Sequence, residues 1–271
     1  MSFQTHETNG LIWLSSNLLQ HPAIRHGFST RTGGVSPTPW DSLNLAMGRG
    51  DSPQHVEENF RRFCSLVGTD YRRVVLSKQT HDSNIRLVTE QDAGKGLWVP
   101  RDYDSVDALI CREPGLSLVV FSADCGIILL HDPVCRAVGA VHAGWRGVAA
   151  GLVFRTVLRM QQEFGCDPAN ITAAMGPSIG PCCFETDDDV PAAMRAALGD
   201  EVEPYMVFRG TKWHIDLKAI NAHWLRRAGV TRIDICNDCT ACHPELYWSH
   251  RKMGNARGGQ VAMIALTEGA L

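Results

Sequence analysis

The sequence has no excess of positive charge: 26 Lys and Arg stand against 29 Asp and Glu, a formal net charge of −3. A nucleic-acid surface wants a basic stripe, so no nucleic-acid partner is expected. Long hydrophobic runs are missing too. The most apolar stretch, Leu116 to Leu130, is interrupted by Asp124 and falls short of the ~20 residues that a membrane helix needs. The opening MSFQTHETNG has no basic segment followed by an apolar one, so no secretory signal is read. A soluble, cytoplasmic protein with no membrane partner is expected. There is no internal repeat or low-complexity segment, no G-x-G-x-x-G after a strand and no Walker loop, which argues against dinucleotide and P-loop folds. The chain does have 44% apolar residues among its 271. That is enough for a full core, expected as a single domain over 1–271.

Ten cysteines are many for a reducing compartment and few for a disulfide scaffold of this length. Core thiols, metal ligands and catalytic thiols are expected to share them. Cys64 and Cys111 read as core residues of a helix and a strand. In CNDCTACH (236–243), Cys236, Cys239, Cys242 and His243 have suggestive spacing, but a metal site usually needs a second ligand pair at a distance. Cys182-Cys183 is one such pair. Ordinary thiols in the fold are the expectation.

Four helices are legible. Ser52-Pro53 predicts an N-cap and N1 proline for a helix burying Val56, Phe60, Phe63 and Val67 and ending at Gly68. Val153, Val157, Met160 and Phe164 form the stripe of a second, closed by Gly165. A third begins near the aspartates at 187–189 and stops at Gly199, and a fourth runs from Asp216 to Gly229. Between them lie short β-branched runs at 72–76, 84–88, 106–111, 116–121, 171–175, 232–236 and 260–266. Strands outnumber helices and several are hairpin-spaced. The expected class is α+β, with largely antiparallel or mixed sheets covered by helices.

One hairpin carries chemistry. In SADCGIILLHDPVCRAVGAVHAGWRG (122–147), Asp132-Pro133 initiates a turn between two apolar strands. Centring it between Pro133 and Val134 pairs Gly126 with Val141 and Cys125 with His142. Opposed residues share a face ~4.5–5.5 Å apart, so both could reach one metal ion, or the imidazole could take the thiol proton. A slip of one residue would separate them. The AGWRG turn after His142 opens a helix, where N–H groups and Arg146 favour an anion. STRTGGVS (29–36) is a second candidate phosphate loop, with Arg31, Gly33 and Gly34. GPSIG (176–180) matches a nucleophile elbow, but no obvious helix follows it.

These segments, in order, resemble the laccase-domain (multicopper polyphenol oxidase-like) family, which includes purine nucleoside phosphorylases and peptidoglycan-editing factors. The matching stretches are HGFSTRTGGVS (26–36), SLNL (42–45), Gln79-x-His81, DAL (107–109), SADC (122–125), HAGWRG (142–147), GPSIGPCCFE (176–185) and CTACHPELYWSHR (239–251). Ile127 replaces a usual proline, and Gly259-Gln260 replaces a usual Gly-Arg pair, with Arg257 nearby. The resemblance implies His81, Cys125 and His142 as ligands of a zinc ion (copper being possible), with an open fourth position.

It also implies phosphorolysis of purine nucleosides (adenosine, inosine, guanosine or methylthioadenosine) with accompanying adenosine deamination. The expected catalytic set is Cys125, His142 and Asp124, the last as proton carrier or orienting group. Arg31, Gly33, Gly34, Asn44, Gln79 and Arg146 are the expected substrate- and phosphate-binding set. The expected partners are a purine nucleoside and phosphate, with no protein partner implied. Three other readings stay open: a Cys125 thiolate amidohydrolase editing peptidoglycan precursors, a copper polyphenol oxidase, and a non-catalytic metal-binding protein.

Overall fold

Apolar runs with alternating faces and glycine-punctuated amphipathic stripes become the layers of the fold. A computed structural model describes residues 3–268. In chain order these form β1 (Phe3–Thr8), β2 (Leu11–Ser16), β3 (Ile24–Ser29), α1 (Pro53–Val67), β4 (Val74–Leu76) and β5 (Ile85–Leu87). Then come β6 (Ala108–Cys111), β7 (Ser117–Ser122), β8 (Gly126–Asp132), β9 (Ala137–Ala143), α2 (Trp145–Ala149) and α3 (Leu152–Phe164). The remainder holds β10 (Thr172–Met175), β11 (Glu185–Thr186), α4 (Asp189–Leu198), β12 (Met206–Arg209), β13 (Lys212–Ile215), α5 (Leu217–Arg227), β14 (Arg232–Ile235), α6 (His250–Met253) and β15 (Gln260–Leu266). No helix among the described residues is long and apolar enough to cross a membrane.

Two six-stranded sheets, ordered β1-β2-β3-β15-β7-β4 and β14-β10-β8-β9-β6-β5, carry the fold. Pairing is antiparallel except for β4–β7, β5–β6 and β10–β14. β11, β13 and β12 form a small third sheet. The class is α+β, with mixed, mostly antiparallel sheets.

Period-two alternation distributes each central strand between two cores. In the first sheet, Leu118, Val120, Ala262 and Ile264 point at Leu109, Leu129, Val138 and Ala140 of the second, so the sheets pack face to face. The intervening Val119, Val261 and Met263 pack on Phe60, Phe63 and Val67 of α1. On the far side, Ile128, Leu130 and Val141 meet Val153, Val157 and Met160 of α3 and Ile220 and Leu225 of α5. Each fully buried Val, Leu, Ile, Phe or Met side chain among these is worth ~1.5–3 kcal/mol relative to exposure. Cys64 and Cys111 are both fully buried in these cores.

Helix ends follow the expected chemistry with one change. Gly165 closes α3 in the left-handed region, and the Asp216 carboxylate accepts the Ala219 N–H at the start of α5. Pro53 opens α1, but the Ser52 hydroxyl turns to Gln54 rather than capping the helix. The elbow reading of GPSIG fails: the next helix is α4, and Ser178 is 3% exposed.

The hairpin register differs from expectation by two residues. Gly126 pairs with Ala143 and Ile127 with His142. Asp132 is the reason: its carboxylate accepts the N–H groups of Val134 and Cys135 at 2.8 and 3.0 Å, and Arg136 adopts φ 49°. The loop is therefore four residues long, and its centre moves one place along the chain. Because the resulting shift is even, faces are conserved. His142 keeps its orientation, and Cys125 lies just beyond the ladder, beside Gly144.

Candidate functional site

Three ladder ends converge where β8 begins, β9 finishes and the segment after β4 passes. His81, Cys125 and His142 bring one ligand atom each to within 4.8 Å of one another. Cys125 Sγ is 3.8 Å from His81 Nε2, and the two imidazoles meet edge-on at 5.0 Å. Gly144 is required for this approach. A Cβ there would lie 2.7 Å from His81 Cδ2 and 3.3 Å from Cys125 Sγ. His81 and Asp124 hold positive φ angles of 62° and 96°, a conformation that non-glycine residues adopt at a cost and that clusters at functional sites.

Asp107, just before β6, organises the cluster. Its carboxylate accepts His142 Nδ1 at 2.8 Å and the N–H groups of Thr80, His81 and Asp82 at 3.0–3.2 Å. Its carbonyl accepts the His142 N–H. One fully buried side chain thus fixes both the imidazole, leaving Nε2 for a ligand, and the turn that carries His81. A carboxylate behind a histidine in this way is the usual outer support of a metal ligand. Asp107 opens the DAL stretch, and an aspartate inside an apolar strand run is the sequence signal that marks it.

Asp124, expected to be the proton carrier or orienting group, is bonded to three neighbouring segments. Its two carboxylate oxygens accept Thr240 Oγ1 at 2.6 Å and the Arg251 N–H at 2.7 Å, and its carbonyl accepts the Ile179 N–H. Those bonds stabilise the left-handed turn that presents Cys125. The carboxylate bonded to the imidazole is that of Asp107.

Burial opposes ionisation of the Cys125 thiol, but His142 and His81 outweigh it and bring the thiol down to about 6. Burial likewise opposes charge on His142, yet Cys125 and Asp107 push that imidazole up to about 9. Asp107 stays below the usual carboxylate range despite burial, held by the His142 ring and the Thr80 and Asp82 N–H groups. Each of the two groups therefore favours the charged form of the other. The same atoms, deprotonated, are two imidazoles and a thiolate around one point, which is a donor set suited to zinc.

The cluster lines a cleft shared with Arg49, Lys78, Arg101, Arg257, Ser77 and Gln79, and none of the described lining residues is acidic. Burial and the neighbouring Arg49 both lower the pKa of Arg257, and its buried Nε has no hydrogen-bond partner. Asp124 and Cys125 offset part of this, and the cationic lining favours an anion.

Of the residues expected to bind substrate and phosphate, Gln79 lines this cleft, locked to the Phe121 backbone through both amide atoms. The others do not line it. Arg31 is spent on the Asp41 and Pro244 carbonyls and stacks on Trp248. Gly33 and Gly34 are glycines because the Leu11 and Ser42 backbones leave no room for a Cβ. Buried Asn44 accepts the Ala46 and Gly259 N–H groups. Arg146 is exposed over Trp145, on a helix of only five residues. The STRTGG loop thus uses its polar groups for packing, and Arg146 of the AGWRG turn faces solvent outside the cleft lining. Of the cationic residues of the cleft, Lys78 and Arg257 adjoin matched segments, whereas Arg49 and Arg101 come from segments without a motif.

A thiol and two imidazoles thus meet in a cleft lined by four cationic side chains, a group of ligands that could hold one metal ion. The chain belongs to the multi-copper polyphenol oxidoreductase laccase family, whose model matches residues 25–267. It is 34% identical to purine nucleoside phosphorylase YlmD of Geobacillus stearothermophilus over 94% of this chain and 95% of that protein. It is 31% identical to purine nucleoside phosphorylase YlmD of Bacillus subtilis over 94% and 93%. Among solved structures, YlmD from Geobacillus stearothermophilus superposes with a TM-score of 0.91 at 33% identity, covering 98% of this chain and 99% of that one. The Bacillus licheniformis protein YfiH gives 0.89 at 30% identity, covering 97% and 99%.

Proposed function

We propose that this chain is a purine nucleoside phosphorylase whose reaction takes place in the basic cleft beside His81, Cys125 and His142. The observation that carries this reading is four cationic residues and no acidic one lining the cleft that also holds the thiol and two imidazoles. The near-full-length similarity to proteins named purine nucleoside phosphorylases supports it. Arg49 and Arg257, with Lys78 and Arg101 beside them, would bind phosphate. A phosphate oxygen would attack the anomeric carbon, forming a C–O bond as the glycosidic C–N bond breaks. The products are the free base and the sugar 1-phosphate, and the departing purine takes a proton. Fixed cations stabilise the charge that develops without reorganising during the step.

His81, Cys125 and His142 would hold a zinc ion, and the chemistry such an ion supplies is Lewis acidity at its open position. Asp107 would keep the His142 ring in the tautomer that presents Nε2. Adenosine deamination would use the same cleft. A two-imidazole, one-thiolate set also suits a single copper ion, so metal analysis accompanies the assay. The test is adenosine with and without phosphate, products resolved by chromatography, on metal-analysed wild-type protein and Cys125→Ala. Phosphate-dependent adenine release lost in the variant supports the reading. Metal-loaded wild-type protein that leaves every purine nucleoside intact overturns it.

The depressed Cys125 thiol beside His142 supports one second reading, a thiolate amidohydrolase acting on peptidoglycan precursors. Metal separates the two: hydrolysis by this thiolate would rise when the ion is chelated and fall when it is restored.

A further inference from the structure

A second group of ligating side chains lies outside the cleft. Cys182 and Cys183 follow β10, and Cys239 and Cys242 follow β14, the parallel neighbour of β10. Parallel pairing brings the ends of these strands together, so two cysteine pairs separated by 59 and 60 residues meet. All four sulfurs lie within 4.8 Å of one another, and Cys242 Sγ is 3.5 Å from both Cys182 Sγ and Cys183 Sγ. None of the four is disulfide-bonded.

We infer that Cys182, Cys183, Cys239 and Cys242 form a structural zinc site, distinct from the cleft and independent of the reaction proposed for it. A tetrahedral ion with Zn–S bonds of ~2.3 Å requires sulfur–sulfur edges of about 3.8 Å, which matches this spacing. The donor set is all sulfur, as in closed structural sites, and Cys239-x-x-Cys242 has the usual ligand spacing. The Gly180 N–H already donates to Cys239 Sγ at 3.2 Å, the kind of outer support that stabilises a metal thiolate. Two cations brace the loops that carry the sulfurs. Arg251 donates to the Cys183 and Glu185 carbonyls, and buried Lys218 donates to the Cys236 and Asp238 carbonyls.

The site also has a task. Thr240, between its two ligands, donates to the Asp124 carboxylate, and Ile179, beside Gly180, donates to the Asp124 carbonyl. Asp124 is the strained residue that presents Cys125. An ion clamping residues 182–183 to 239–242 therefore holds one wall of the cleft in place.

The test removes the cleft donors and counts what remains. Wild type, a His81→Ala/Cys125→Ser variant and a Cys182→Ser/Cys242→Ser variant are purified from zinc-supplemented cells. Native mass spectrometry then gives their metal content, and cobalt substitution gives their ligand-field spectra. The His81→Ala/Cys125→Ser variant should retain one ion per chain, with the strong thiolate-to-cobalt charge transfer of four sulfurs. The Cys182→Ser/Cys242→Ser variant should lose that ion and that band. Should this second variant fail to fold, the first still decides. The inference is overturned if the first variant holds no metal and shows four alkylatable thiols. It is equally overturned if a mass lower by two hydrogens reveals a disulfide in the group. Because this readout uses no nucleoside, failure of the proposed activity leaves it untouched, and the reverse holds as well.

Discussion

Two clusters of ligating side chains lie to either side of Asp124, and they are built on opposite plans. His81, Cys125 and His142 provide mixed donors opening into a cleft lined by cationic side chains. Cys182, Cys183, Cys239 and Cys242 provide four like donors joining two loops. Three ligands leave a position for chemistry, whereas four sulfurs close the shell. The first cluster is held by a buried carboxylate behind one ligand and the second by strand ends and backbone N–H groups. The difference teaches that a ligand count and its outer support separate a working site from a fastening.

Three substitutions sharpen this contrast. The largest effect is expected for Asp107→Ala, which releases both the His142 ring and the His81 turn. Metal affinity of the cleft cluster should fall ~10–100-fold, measured by competition with a chromophoric chelator, while the four-cysteine ion stays bound. Equal loss from both clusters would mean that Asp107 supports the fold rather than the cleft. Next, Arg257→Ala removes a guanidinium from the anion site and should raise the KM for phosphate about tenfold, the worth of one charge-assisted hydrogen bond, with metal content unchanged. An unaltered phosphate KM would move the anion elsewhere. Arg146→Ala should change the phosphate KM by less than about twofold, because a charge exposed to water contributes little. A tenfold rise there would restore the AGWRG turn as the phosphate loop.

The hairpin shows how far a local reading reaches. Pro133 and Asp132 located the turn, and the apolar runs predicted β8 and β9. The Asp132 carboxylate lengthened the loop, a choice among turn geometries that the residue types permit equally. The error was even, so the face survived it. His81 entered through the family resemblance, since a lone histidine after a strand carries no local mark. A glycine-rich loop reads two ways, because glycine serves close backbone packing as well as anion binding, and Gly33 and Gly34 are packed against backbone.

By itself the sequence determined where α1, α3, α4 and α5 end, the alternation that gives each sheet two buried faces, and the placement of Cys125 and His142 on one face. These depend on neighbours within a few positions, where side-chain chemistry and backbone geometry act directly. Only the tertiary structure decided which distant segments meet: Asp107 behind His142, Arg49 beside Arg257, and Cys182-Cys183 against Cys239 and Cys242. Strand order sets those meetings, and it follows from how the two sheets bury their common faces rather than from any single stretch of chain.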